Sequence, residues 1–402
     1  MKILWITNWL PFPPTSGNPL RVYNLLKRIA QDHQVNLLTY IRDTDSQESL
    51  EALSSYCQNI YPIPIGGDLI KDPLFPDSIF GKLAFLFFPW RAYLSHRMIQ
   101  KLQVLTSVGS VDILQIEDSF MGGYIHYSSP LQKVKRALTF HDIDHLKYER
   151  LSKIADNPKN KIKYWLRSLA MRQWEPRLAS HFDVNFFTSA LDEKIMLNKN
   201  PHINTMVLPN GVDTKEIQPL PMDTSENCIL FVGNLSYLPN EDGVLYFYQE
   251  ILPIITKHIP NLHFYIVGLN PSEKIKNLES KYIHVTGSVP DLLPYYKRCT
   301  ACIIPLRAGG GTRLKILEAM AYGRPIVSTS LGCEGLAVED GKHLLIADNP
   351  QAFAEKTINL LSSIKLQQTL IQHARELVEQ VYDWDVIAQD ALAAYEKIYN
   401  ER

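Results

Sequence analysis

Short apolar runs alternate with longer stretches of helical periodicity along the whole chain, and the pattern stops once and starts again. That alternation constrains the fold more than any other feature, because it is how parallel α/β structure is written in a sequence. Before the break, Lys2–Thr7, Val35–Thr39, Asp112–Ile116, Val134–Phe140 and Asp183–Phe187 read as strands. Stretches such as Leu20–Ala30 lie between them, with Leu25, Leu26 and Ile29 recurring on one helical face. The break is Leu208-Pro209-Asn210-Gly211-Val212-Asp213, followed by Pro219 and Pro221, where a turn signal and stiffening prolines mark a linker. Cys228–Val232, His263–Val267, His284–Thr286, Cys302–Pro305, Pro325–Ser328 and His343–Ile346 then supply a second set of strands. The reading is α/β, two Rossmann-like doubly wound domains facing a cleft. The first covers 1–212 and is joined by a last helix near Val386–Tyr399 crossing back over 386–402; the second covers 213–385. With 402 residues, two cores are the natural division.

Charge bounds the partners. The formal net charge is −1, which argues against nucleic acid, whose binding needs a basic surplus. Locally the balance differs: from Lys133 to Arg177 there are 12 Lys/Arg against 5 Asp/Glu. That segment reads equally as a solvated helical face or as a surface for anionic lipid. Ile79–Trp90 is the longest apolar run, but it contains Lys82 and Pro89 and is too short to span a bilayer. A core helix is its first reading, membrane contact its second. The first residues read as a strand, not a secretory signal, so a cytoplasmic chain is expected, with the inner membrane face as a peripheral location. The five cysteines are read as small core residues in a reducing compartment.

The chemistry concentrates at Pro305–Pro325. A buried strand ends at Pro305, Gly309-Gly310-Gly311 follow, and a helix is expected from about Thr312 to Gly323. Three glycines before a helix let the backbone close on a ligand and offer its N–H groups, while the helix N-terminus favours a diphosphate. Arg307 and Lys315 flank the loop and can neutralise a leaving nucleoside diphosphate in place of a metal. Glu318, one turn past Lys315, can accept hydrogen bonds from ribose hydroxyls. As an ordinary ion pair, Lys315 and Glu318 would need no ligand, but the glycines, two bases and an acid converge on one strand-to-helix junction.

Phe231–Asn234 (FVGN), Tyr265–Gly268 (YIVG), Val285–Leu292, Gly309–Thr329 and Glu339–Gly341 together resemble the retaining GT-B glycosyltransferases of family 4 (glycosyl transferases group 1), in the branch with a GGGTRLK loop. Pro209–Asp213 and Phe187–Asp192 extend the resemblance to the first domain. It implies a metal-independent enzyme that transfers a sugar, with retention, from a nucleotide sugar to a saccharide or lipid-linked acceptor in bacterial polysaccharide or glycolipid assembly. No cofactor beyond the donor substrate is implied. The donor would be held by Asn234, Gly309, Gly310, Gly311, Thr312 and Leu314, with His141, Arg307, Lys315 and Glu318 as catalytic groups. Gly17 and Asn18 would form the loop reaching sugar and acceptor, and Arg21 lies one turn beyond it. One departure is plain: the first of the family's two glutamates falls at Gly310, and backbone N–H groups of Gly310 to Thr312 are expected to take over part of that contact. Because of it, a non-catalytic GT-B partner stays as an alternative, beside a nucleotide-sugar epimerase. Asp142-Ile143-Asp144 spells D-x-D, but Asp43–Asp45 and Asp383–Asp385 spell it too, and no metal is expected. Glu117 and Asp118 are lesser candidates beside His141.

Overall fold

Strand β1, Lys2–Thr7, buries every residue after its first, as a strand covered on both faces must. It lies third in a parallel sheet whose members are β1, β2 (Gln34–Ile41), β3 (Asn59–Pro64), β4 (Ile113–Glu117), β5 (Lys135–Phe140), β6 (Val184–Phe187) and β7 (Thr205–Val207). Their order is β3-β2-β1-β4-β5-β6-β7. A second parallel sheet contains β8 (Cys228–Val232), β9 (His263–Val267), β10 (Ile283–Gly287), β11 (Ala301–Ile304), β12 (Ile326–Ser328) and β13 (Leu345–Ile346), in the order β10-β9-β8-β11-β12-β13. The computed structural model describes residues 1–65, 89–107, 111–127, 134–155, 157–221 and 226–401. Most of Ile79–Trp90 and the start of the basic segment at Lys133 fall outside them. No helix among the described residues is long and apolar enough to cross a membrane.

Both orders reverse direction beside the first strand of their sheet, between β1 and β4 and between β8 and β11. In doubly wound sheets ligands bind beyond the carboxyl ends of the strands at that reversal. Two strands escape a sequence reading. β3 (NIYPIP) carries two prolines, which an edge position tolerates because one side needs no ladder bonds. β7 is only three residues long, all half-buried.

The described residues form two compact units. The first is Met1–Ser152, Pro158–Asn210 and Trp384–Arg402; the second is Lys153–Asn157 and Gly211–Asp383. The first includes the last helix, Trp384–Asn400, which buries Trp384, Ile387, Ala391, Tyr395 and Ile398. Tyr395 donates to Gln115 Oε1 (2.8 Å) on β4, and Asp385 pairs with Arg28. The chain enters the second unit at Gly211 and leaves it at Asp383. These two passages lie side by side there: Val212 N–H donates to Tyr382 O (2.8 Å) and Thr214 N–H to Asp383 Oδ2 (3.0 Å).

All five cysteines are buried, as expected of small core residues. Cys228 and Cys299 are joined as a disulfide, whereas Cys57, Cys302 and Cys333 are free and buried. The two partners lie 71 residues apart in sequence, so no local spacing announced the pair.

Candidate functional site

The reversal of the second sheet is lined by glycines because backbones meet there. Gly268, after β9, has φ +153°, and a Cβ on it would stand 1.7 Å from Gly233 O. Gly233 directly follows β8, and its own Cβ would stand 2.7 Å from Lys315 Nζ. Lys315 therefore reaches under the β8 loop. Its ammonium donates to Asn240 Oδ1 (3.0 Å) and lies 4.2 Å from the centre of the Phe231 ring. Asn240 in turn donates to Asn234 O (2.8 Å), which fixes the loop. The Asn234 side chain is turned inward to its own loop, accepting from Ser236 N–H (3.1 Å) and Oγ (2.8 Å). Burial, with Arg313 nearby as a second cause, brings the Lys315 pKa down to about 7.

On the other side, β11 leads into the glycine loop. Gly309 and Gly311 take φ of +114° and +67°, conformations that favour glycine. Arg313 folds back into this loop, its Nη1 donating to Gly310 O and to Gly311 O (3.0 Å), while Nε and Nη2 have no partner. The helix starts at Leu314, two residues later than the glycine pattern suggests, and Arg313 at its N-cap supplies no side-chain cap. Thr312, just before it, is buried. Gly323, with φ +68°, follows the helix end as expected of a terminating glycine. Among the described residues no carboxylate pairs with Lys315 or Arg313.

Glu318 projects from the same helix. Tyr296 donates to its Oε2 (3.2 Å) and stacks on Tyr322 with ring centres 4.6 Å apart. Burial raises the Glu318 pKa to about 7. Arg307 is placed differently. Its guanidinium forks onto Asp242 (3.1 and 2.7 Å) and lies 4.4 Å from the Tyr246 ring centre, with 46% of the side chain exposed. Its charge is already matched, where the sequence alone left it open. Asn240, Asp242, Tyr296 and Arg313 are the site residues that the sequence reading did not name. Only Arg313 carried a local signal, sitting inside the glycine motif.

In the first unit, His141 follows β5, and its Nε2 stands 2.9 Å from Glu117 Oε2 at the end of β4. Glu117 is fully buried, and its Oε1 accepts from Trp5 Nε1 (2.8 Å) and Gln115 Nε2 (3.1 Å). The two groups are close, but among the described residues neither Glu117 Oε2 nor either ring nitrogen of His141 makes a hydrogen bond, so the imidazole keeps its polar atoms unsatisfied. Asp118, next in the chain, has φ +82°; burial first, then Asp144, raises its pKa to about 6. Lys147 bridges Asp142 (2.9 Å) and Asp144, so the D-x-D string is neutralised by an internal cation. Gly17 and Asn18 open the Gly17–Ile29 helix and line a cavity of about 720 Å³ with Trp9, Phe12, Arg42 and Asp45. Arg21 does not face this cavity or solvent. It is fully buried, donating to Pro209 O and to Asn210 Oδ1 (3.1 Å), and burial lowers its pKa to about 10.

Two family profiles match the chain: Glycosyltransferase Family 4 over residues 19–216 and Glycosyl transferases group 1 over residues 226–363. A protein of Klebsiella pneumoniae described as an uncharacterized 44.6 kDa protein in the cps region is 25% identical over 395 residues, which is 95% of this chain and 96% of that one. Among solved structures, sucrose-phosphate synthase from Thermosynechococcus elongatus superimposes with a TM-score of 0.74 at 18% identity, covering 100% of both chains. Anabaena HepE in complex with UDP-glucose superimposes with a TM-score of 0.64 at 15% identity, over 99% of this chain and 100% of its own.

Proposed function

The chain is a glycosyltransferase of GT-B architecture, and from that premise we propose that it moves a sugar from a nucleotide-sugar donor, with retention and without a metal ion. One observation carries the donor assignment: Lys315 and Arg313 stand together at a glycine loop with, among the described residues, no carboxylate against either. A desolvated cation without a counter-ion is stabilised by an incoming anion, and a diphosphate supplies two negative groups for the pair. Such a pair takes the part that a divalent metal plays elsewhere. Glu318, one turn on, accepts the ribose hydroxyls, and the backbone N–H groups of Gly310 to Thr312 hold the transferring end of the donor. Anabaena HepE, seen with UDP-glucose, supports a nucleotide sugar as the ligand of this architecture.

His141, buried beside Glu117 with both ring nitrogens unsatisfied, is the group of the first unit that we assign to the donor sugar. The cavity beside Gly17 and Asn18 takes a saccharide or the glycan end of a lipid-linked acceptor, whose ring faces suit Trp9 and whose hydroxyls suit Arg42 and Asp45. Similarity along nearly the whole chain to a protein of a cps region supports polysaccharide assembly as the setting. The leaving phosphate would take the acceptor's proton, which suits a site with phosphate binders and no evident nucleophile. The protein's contribution is then positioning and charge stabilisation.

The test uses EDTA-treated protein and a panel of UDP-, GDP-, ADP- and dTDP-sugars. One nucleotide class should raise the melting temperature and release its diphosphate slowly without acceptor. Lys315→Ala and Glu318→Ala should each lower turnover at least a hundredfold, a loss of about 3 kcal/mol in transition-state stabilisation. The anomeric coupling constant of the product decides retention. Binding without any transfer to any acceptor would favour the non-catalytic partner that Gly310 leaves open.

A further inference from the structure

We propose that the Pro158–Ala179 helix lies in the plane of an anionic lipid bilayer and docks the protein there. The inference goes beyond sugar transfer and does not depend on it. The helix has 22 residues and seats one face in the first unit through Ser168, Met171, Glu175, Leu178 and Ala179. That face accounts for its structural role. A second apolar row remains: Ile162 is 60% exposed, Trp165 53% and Leu169 42%. At about 100° per residue these three fall within roughly 60° of each other, well around the helix from the packed row. Half-buried Leu166 lies beside them.

Scattered exposed apolar side chains need no explanation, but this is a concentration. Of the eleven large hydrophobic residues exposed among the described residues, three lie on this one helix, within eight positions. Charge then selects the partner. Lys159, Lys161, Arg172 and Arg177 are exposed along the same helix, with Lys161 and Arg172 on one side of the row and Lys159 and Arg177 on the other. The helix has a single acid, Glu175, which is fully buried and turned inward to Asp144 N–H (2.7 Å) and His145 Nδ1 (2.6 Å). Its outward face therefore carries bases only. An apolar row containing tryptophan, flanked by lysine and arginine, suits a helix at the boundary between headgroups and acyl chains. The apolar side chains enter that boundary and the flanking bases meet lipid phosphates. A protein partner or a second copy would instead have to offer a negatively charged rim around an apolar groove.

Sedimentation with phosphatidylcholine vesicles, with and without phosphatidylglycerol, tests the proposal on the full chain. The protein should sediment with the mixed vesicles and stay in solution with phosphatidylcholine alone. Replacing Ile162, Trp165 and Leu169 together by serine should weaken binding more than about tenfold. Lys161→Gln with Arg172→Gln should weaken it about twenty-five-fold, since each base near an anionic surface is worth roughly a factor of five. Both variants change exposed positions, so their circular dichroism and their response to donor sugars should match the parent. Several outcomes overturn the proposal: no binding to the mixed vesicles, equal binding to both kinds, or variants that bind as the parent does. Self-association by light scattering that the serine variant abolishes, without vesicle binding, would assign the row to a second copy instead.

Discussion

At the donor site proposed above, an ammonium and a carboxylate that both titrate near neutrality would make donor binding a proton-linked event. Lys315 and Glu318 each have a pKa of about 7 in the free protein, the first lowered and the second raised by burial. A diphosphate favours the charged ammonium, so binding raises the Lys315 pKa and takes up a proton above pH 7. Ribose hydroxyls favour the charged carboxylate, so binding lowers the Glu318 pKa and releases a proton below pH 7. Affinity should therefore peak near pH 7 and fall on both sides by as much as about tenfold per pH unit. Calorimetry in buffers of different ionisation enthalpy should show little net proton exchange at the peak. Lys315→Met should remove the alkaline limb and Glu318→Gln the acid limb; an unchanged profile in either variant would falsify that residue's part. The sequence placed Lys315, Glu318 and the glycines at one junction because strand, loop and helix are contiguous. It did not reveal Asp242 on Arg307 or Asn240 on Lys315, since those partners lie 65 and 75 residues away.

Strands buried on both faces were legible as apolar runs, and β1, β8 and β9 begin and end where the runs do. β3 was not, because its prolines are the ordinary sign of a loop and only an edge position excuses them. Loops between strands are held by exclusion as much as by bonding. With Gly233 O only 1.7 Å from the place of a Cβ, Gly268→Ala must push the loop after β9 off the loop after β8. We expect a loss above about 2 kcal/mol in urea denaturation, with donor binding lost in the same variant because Lys315 sits beneath Gly233. The last helix offers a larger test. Ending the chain at Asp383 would strip the first unit of Trp384, Ile387, Tyr395 and Ile398, each worth about 1.5–3 kcal/mol when buried. That sum rivals the whole stability of a domain, so the first unit should lose its near-ultraviolet circular dichroism and expose its sheet to proteolysis.

At the scale of the whole molecule, each unit carries its own chemistry. The proposed donor groups belong to the second and the His141–Glu117 pair to the first. A nucleotide without sugar should accordingly slow amide exchange over residues 233–240 and 309–318 and leave residues 9–18 unchanged, as read by mass spectrometry; protection of the first unit alone would assign the nucleotide to the wrong half. The two-part plan was legible because the strand pattern restarts after Pro209–Asp213. The exact passages between units were not, since they depend on Val212 meeting Tyr382, some 170 residues later. That meeting has a consequence for inheritance. The main segment of the second unit, Gly211–Asp383, is a cassette inserted in the chain of the first, with its two seams, 210/211 and 383/384, held next to one another. On the proposed division of labour, exchange of the cassette between related genes would change the sugar offered while keeping the proposed acceptor half whole, but only when both seams move together. A recombinant cut at the first seam alone would inherit a last helix shaped for another chain's sheet.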